Sequence, residues 1–174
     1  MNTLKEAVEA LLNEYVLPYC KHYDHTKWRK EQLWNEECDR VYKANWNFLN
    51  KLYDEYSAES RKRPGSKKYV GLDDFYKFCS EAKLLDEFIT DRDPSVIFNL
   101  SMMTVVNELE SERGMQMSLV EFIEGIGRIA DKIEKSLISD YQGLHSKIIY
   151  LFEYCSKVLY KGSIEIVKPP PFED

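Results

Sequence analysis

The chain lacks any long apolar run. Nothing in it approaches the roughly 18 consecutive apolar residues of a membrane-spanning helix, so no transmembrane segment is expected. Positive charge is in deficit. Lys and Arg number 24 against 30 Asp and Glu, a net charge of −6, which argues against a nucleic-acid binder. Glycine (7) and proline (6) are sparse in 174 residues and fall at a few points, which favours helices over many short strands. The four cysteines, Cys20, Cys38, Cys79 and Cys155, form no C-x-x-C pair and read as reduced, packed thiols of an intracellular protein. The N-terminal stretch MNTLKEAVEALLNEYV places acids inside its apolar pattern, unlike a signal or transit peptide.

Catalytic constellations are missing as well. There is no triad and no phosphate loop. The run Gly125 to Ala130 spells a dinucleotide fingerprint, but a helical stripe surrounds it and no strand precedes it. Small residues there suit close helix contact. Cys20, His22, Asp24 and His25 cluster, yet no second ligand pair lies at a zinc spacing. Adjacent acids such as Glu36-Glu37 and Asp73-Asp74 would point about 100° apart on a helix and form no dyad. The expectation is a non-enzymatic protein without a cofactor.

Aromatic residues, by contrast, are abundant, at 13% of the chain, enough to build a core and exclude a disordered polymer. The spacing predicts an all-α fold. Thr3-x-x-Glu6 is a capping box opening a first helix that carries Ala7, Val8, Leu11, Leu12 and Tyr15 and stops near Pro18. A second helix starts near Thr26 or Trp28. Its stripe is Trp34, Cys38, Val41, Asn45, Phe48, Leu52 and Tyr56, about 30 residues or roughly 45 Å if unbroken. A third helix runs from about Leu72 to Leu85. Asp93 as N-cap with Pro94 behind it starts another. Met102, Val105, Val106 and Leu109 continue a helical stripe. Ser118-x-x-Glu121 is a capping box for a helix from Phe122 to about Lys135. Ser139-x-x-Gln142 caps a last helix carrying Leu144, Ile148, Leu151, Phe152, Cys155 and Leu159, ended by Gly162. The remainder, IEIVKPPPFED, reads as extended, with polyproline character at Pro169 to Pro171 and a docking role for PPPF.

Two segments repeat at a spacing of 47 residues: Val70-Gly71-Leu72-Asp73-Asp74-Phe75 and Met117-Ser118-Leu119-Val120-Glu121-Phe122. Each has an apolar residue, an acid four positions on, then Phe and a helix. Twelve residues, Glu110 to Glu121, separate the Leu109 stripe from that of Phe122, Ile126 and Ile129. This pattern resembles the EF-hand superfamily over about residues 46–135. More narrowly, the stretch NLSMMTVVNELESERGMQMSLVEFIEGIGRIAD is similar to degenerate EF-hand modules of ciliary, axonemal and cytoskeletal proteins of protists. The resemblance implies that Val70 and Met117 pair across a lobe. Together with the helix pattern it divides the chain into four segments: an N-terminal helical region (1–45), the EF-hand-like lobe (46–135), a C-terminal helix (136–162) and an extended tail (163–174). It also implies a structural component of a ciliary microtubule assembly, in the cytoplasm or cytoskeleton, with other proteins as partners, amphipathic helices or tubulin among them.

The loops depart from calcium chemistry. Candidate ligands in the second loop are Glu110, Glu112, Gln116, Ser118 and Glu121, but Gly114 offers no side-chain oxygen, Met115 holds the place of the turn glycine, and Arg113 adds positive charge. The first loop is about six residues longer and holds Arg61, Lys62, Arg63, Lys67 and Lys68. A divalent ion there meets like charges at about 1–4 kcal/mol each. The frame is therefore expected to serve packing and partner binding independently of calcium. The alternative is a calcium-responsive adaptor with one weak site at Glu110–Glu121. Candidate partner-binding residues are the basic run Arg61, Lys62, Arg63, Lys67 and Lys68, suited to acidic tails. Met102 and Met103 are candidates too, suited to an adaptable groove that helix one or the Leu144–Leu159 stripe would fit as an internal ligand.

Overall fold

The computed structural model describes residues 3–16, 25–57, 68–103 and 115–170. Among these, every regular element is helical, with two isolated β-bridges. The helices are α1 (Leu4–Leu11), α2 (His25–Trp28), α3 (Glu36–Ala44), α4 (Trp46–Tyr56), α5 (Leu72–Glu81), α6 (Asp93–Ser101), α7 (Leu119–Lys132) and α8 (Leu144–Tyr160). Wide π-type turns extend α1 through Leu12–Val16 and α2 through Arg29–Leu33. No described helix is long and apolar enough to cross a membrane. The chain divides into two compact units, Met1–Asn35 and Glu36–Asp174.

In the first unit, Thr3 caps α1 as the sequence predicts. Its hydroxyl accepts from the Glu6 N–H, and the Glu6 carboxylate accepts from the Thr3 N–H at 2.8 Å. None of the residues of α1 is buried within its own unit.

The long second helix is not continuous. Trp34 leaves helical geometry (φ −93°, ψ 56°), and the Asn35 amide turns back to the carbonyls of Glu31 and Gln32, competing with a further helical turn. A second interruption falls at Asn45 (φ −111°, ψ 23°), inside the second unit. Within the second unit the stripe runs on across the Asn45 break. Cys38, Val41, Asn45, Phe48, Leu52 and Tyr56 are all buried, whereas Trp34 is partly exposed.

In the second unit α7 is the core helix. All ten residues from Glu121 to Ala130 are buried, and α7 packs against α4, α6 and α8. On one side lies an aromatic cluster in which Phe75, Phe78, Phe98 and Phe122 meet mostly edge to face, joined by Tyr53 and Tyr56. Gly125 permits this contact: a Cβ there would lie 3.0 and 3.1 Å from ring carbons of Phe75. On the other side α8 packs on α3 and α7 through Ile148, Leu151, Phe152 and Cys155.

Several predicted boundaries move. α5 ends at Glu81, short of Leu85, because Lys83 adopts a left-handed conformation (φ 54°) and the Leu84 N–H closes on the Cys79 carbonyl. At α6, Asp93 is inside the helix. Its carboxylate reaches back to the Thr90 N–H and hydroxyl at 2.7 and 2.9 Å, so Thr90 starts the turn and Pro94 falls one place later. α6 stops at Ser101, and Met102 is extended (φ −62°, ψ 122°), so Met102 is not part of a helical stripe. α7 ends at Lys132 rather than Lys135. Ser139 does not cap α8; Gly143 (φ 155°) precedes that helix and the Gln142 N–H donates to the Ser146 hydroxyl. Lys161 and Gly162 end it in left-handed geometry, and the Gly162 N–H closes on the Ser156 carbonyl.

Candidate functional site

The repeated segments meet. The Val70 N–H donates to the Met117 carbonyl and the Met117 N–H to the Val70 carbonyl, both at 2.9 Å, an antiparallel bridge between two completely buried residues. From above, the Tyr53 hydroxyl reaches the carbonyls of Lys68 and Met117. On each side the chain then enters a helix by the same device. The Asp74 carboxylate accepts the Gly71 N–H at 3.1 Å, and the Glu121 carboxylate accepts the Ser118 N–H at 2.7 Å. An aromatic ring follows each acid, and the rings of Phe75 and Phe122 meet at 6.2 Å, nearly perpendicular. The sequence repeat is thus a repeat of bridge, cap and ring.

The two acids differ by one methylene, and that sets their reach. Glu121 also binds the Ser118 hydroxyl through the same oxygen, Oε2, at 2.7 Å. Its other oxygen, Oε1, accepts the Met103 N–H at 2.8 Å. The side chain therefore staples the start of α7 to the chain leaving α6, and it is 1% exposed. Both oxygens are committed to protein donors. A calcium ion held in bidentate fashion by Glu121 would have to displace them. Of the other candidate ligands, Ser118 is the cap of α7 and Gln116 lies beside the bridge, while Glu110 and Glu112 fall outside the described residues. Among the described residues no group of three or more His, Cys, Asp or Glu is arranged to hold a metal.

The other sequence candidates scatter. Arg61, Lys62, Arg63 and Lys67 lie outside the described residues. Lys68 is described, and its ammonium pairs with Asp54 at 2.6 Å. Met102 is buried, and Met103 is 40% exposed, with Met115 and Val120 also exposed near the start of α7. Cys20, His22 and Asp24 fall outside the described residues. Cys38, Cys79 and Cys155 are buried, and burial pushes Cys38 and Cys155 up to about 12, which makes them packing groups rather than nucleophiles.

Two polar features carry no motif. Glu124 and Arg128 form a buried ion pair on α7, with the guanidinium Nη2 and Nε at 2.7 and 2.9 Å from one carboxylate oxygen. Their i,i+4 spacing beside Ile126 and Ile129 was the available signal. Asn45 was visible as a polar residue on an apolar stripe, but its partner, Val167, was not. A groove of about 810 Å³ lies between α3, α8 and the C-terminal segment, with Glu37, Arg40, His145, Tyr150 and Glu153 on its walls. Burial pushes the His145 imidazole below its ordinary value, with Glu37 opposing. No protein-family model, curated protein or solved structure matches this chain.

Proposed function

We propose that the chain is a non-enzymatic interaction component built on an EF-hand-like pair of helix–loop–helix units whose shape does not depend on calcium. The observation that carries this reading is the Glu121 carboxylate. At the place where an EF-hand acid would grip the ion, it is closed by the N–H groups of Ser118 and Met103 and by the Ser118 hydroxyl. The Val70–Met117 bridge supports the pairing of the two units. Fixed in this way, the lobe acts as a rigid bracket. Met103, Met115 and Val120 offer apolar side chains at its rim to a partner helix. The ciliary microtubule setting rests on the sequence resemblance alone and belongs to the same proposal.

Calorimetry with calcium tests the reading. The expected result is no saturable heat and one melting temperature in calcium or chelator. A single saturable site that raises the melting temperature would replace it with the calcium-responsive adaptor. Cosedimentation with polymerised tubulin tests the setting.

A further inference from the structure

Asn45 interrupts the helix stripe and is 4% exposed. Its side-chain amide meets both backbone groups of one residue far along the chain. The Val167 N–H donates to Asn45 Oδ1 at 2.8 Å, and Asn45 Nδ2 donates to the Val167 carbonyl at 2.9 Å. The same Nδ2 holds the Val41 carbonyl at 3.0 Å, which fixes the amide's orientation. One residue exchanging both an N–H and a C=O with a single partner is what a neighbouring β-strand does, and it reads backbone rather than side chain. Two further points hold the same segment. The Ser156 hydroxyl donates to the Ile164 carbonyl, and Lys168 pairs with Glu153 at 2.8 Å. At Val167 the hold is through backbone, since its side chain is 49% exposed. The segment follows the left-handed pair Lys161 and Gly162, and its residues Lys168, Pro169 and Pro170 line the groove.

We propose that the α3–α4 junction and α8 form a receptor for an extended peptide, which the chain's own residues 163–170 occupy as a tethered competitor. The partner is an extended protein segment in which a lysine precedes prolines. The lysine answers Glu153 on a rim that also carries Glu37 and Asp140. The prolines hold the segment extended before it binds, which lowers the cost of ordering it.

A labelled peptide with the sequence of residues 162–174, added to the full chain, tests this. Tethering gives the chain's own segment an effective concentration on the order of millimolar, so the wild type should bind the added peptide weakly. Val167→Pro removes the N–H that Asn45 accepts and frees the site. The peptide should bind this variant at least about tenfold tighter than wild type. Binding should be lost when the peptide is N-methylated at Val167, a control that requires no second change in the protein, and when Asn45→Ala is added to Val167→Pro. Equal affinity for wild type and Val167→Pro, or undiminished binding of the N-methylated peptide, would overturn the proposal. So would a wild-type dimer in sedimentation that Val167→Pro dissolves, because the site would then belong to a second copy's tail.

Discussion

Glu121→Gln separates a structural staple from a calcium ligand. The substitution keeps size and shape but turns an acceptor-only group into one that must present an NH₂ on one side. Glu121 faces donors on both sides, the Met103 N–H at 2.8 Å and the Ser118 N–H at 2.7 Å, with the Ser118 hydroxyl also at 2.7 Å. Whichever way the amide turns, one partly buried backbone N–H loses its acceptor and meets another donor. A hydrogen bond to a charged group is worth about 1.5–3 kcal/mol, and an orphaned buried donor costs about 1–3 kcal/mol. Because these figures overlap, the expected loss is about 2–4 kcal/mol rather than their sum. That corresponds to a fall of about 5–15 °C in melting temperature for a unit of this size. Glu121→Asp should lose less, about 1–2 kcal/mol, because a shorter acid still reaches Ser118, as Asp74 reaches Gly71, and gives up only Met103. Urea unfolding of all three proteins, in excess calcium and again in chelator, provides the measurement. The loss should be the same in both. If Glu121→Gln matched wild type in chelator and weakened only in calcium, the carboxylate would be an ion ligand and the staple would have no energetic role.

Gly125→Ala should destabilise the protein by about 1–2 kcal/mol in the same assay. The new Cβ would press on Phe75, which Phe78, Phe98 and Phe122 hold in place, and this outweighs alanine's better helix propensity. Arg128→Met should cost about 3–5 kcal/mol by stranding Glu124, with most of it regained in the double variant Glu124→Leu/Arg128→Met; a double variant as weak as the single one would refute the stranded-charge account. Acid unfolding should depend on Asp93. Partial burial pushes its carboxyl up, but Lys132 and Thr90 outweigh that and hold it below its ordinary 3.8. The lowered value means that its stabilising contribution is complete above 3.8 and is lost as pH falls through the folded-state value, so Asp93→Asn should flatten the acid limb of a stability–pH curve.

The elements readable in the sequence are those whose causes lie within a few residues. Thr3 with Glu6, and Ser118 with Glu121, are capping boxes because three residues of helix bring the two side chains within reach. The likeness of the Val70 and Met117 segments was legible because each precedes its own cap and ring, whereas their meeting was expected only from the resemblance that the repeat carries. The end of α5 was not legible. It turns on Lys83 in a left-handed conformation that sequence reading assigns to glycine, and nothing in the lysine itself announces it.

Asn45 shows where such reading stops. In the sequence it stands on a run of apolar residues at helical spacing, and the natural inference is one continuous helix with a tolerated polar residue. What decides its geometry is Val167, 122 positions away, whose backbone supplies the partners that a buried amide needs. Without that segment the amide would be left with the Val41 carbonyl alone, and burying it on the stripe would be costly. The polar residue on the apolar face was therefore a mark of something docked there, but only the docked segment could say what. The same reasoning covers Glu124: a charge on a helix buried all round requires a partner within reach, and Arg128 one turn on supplies it. In both places an apparent breach of the hydrophobic pattern marks a specific tertiary contact.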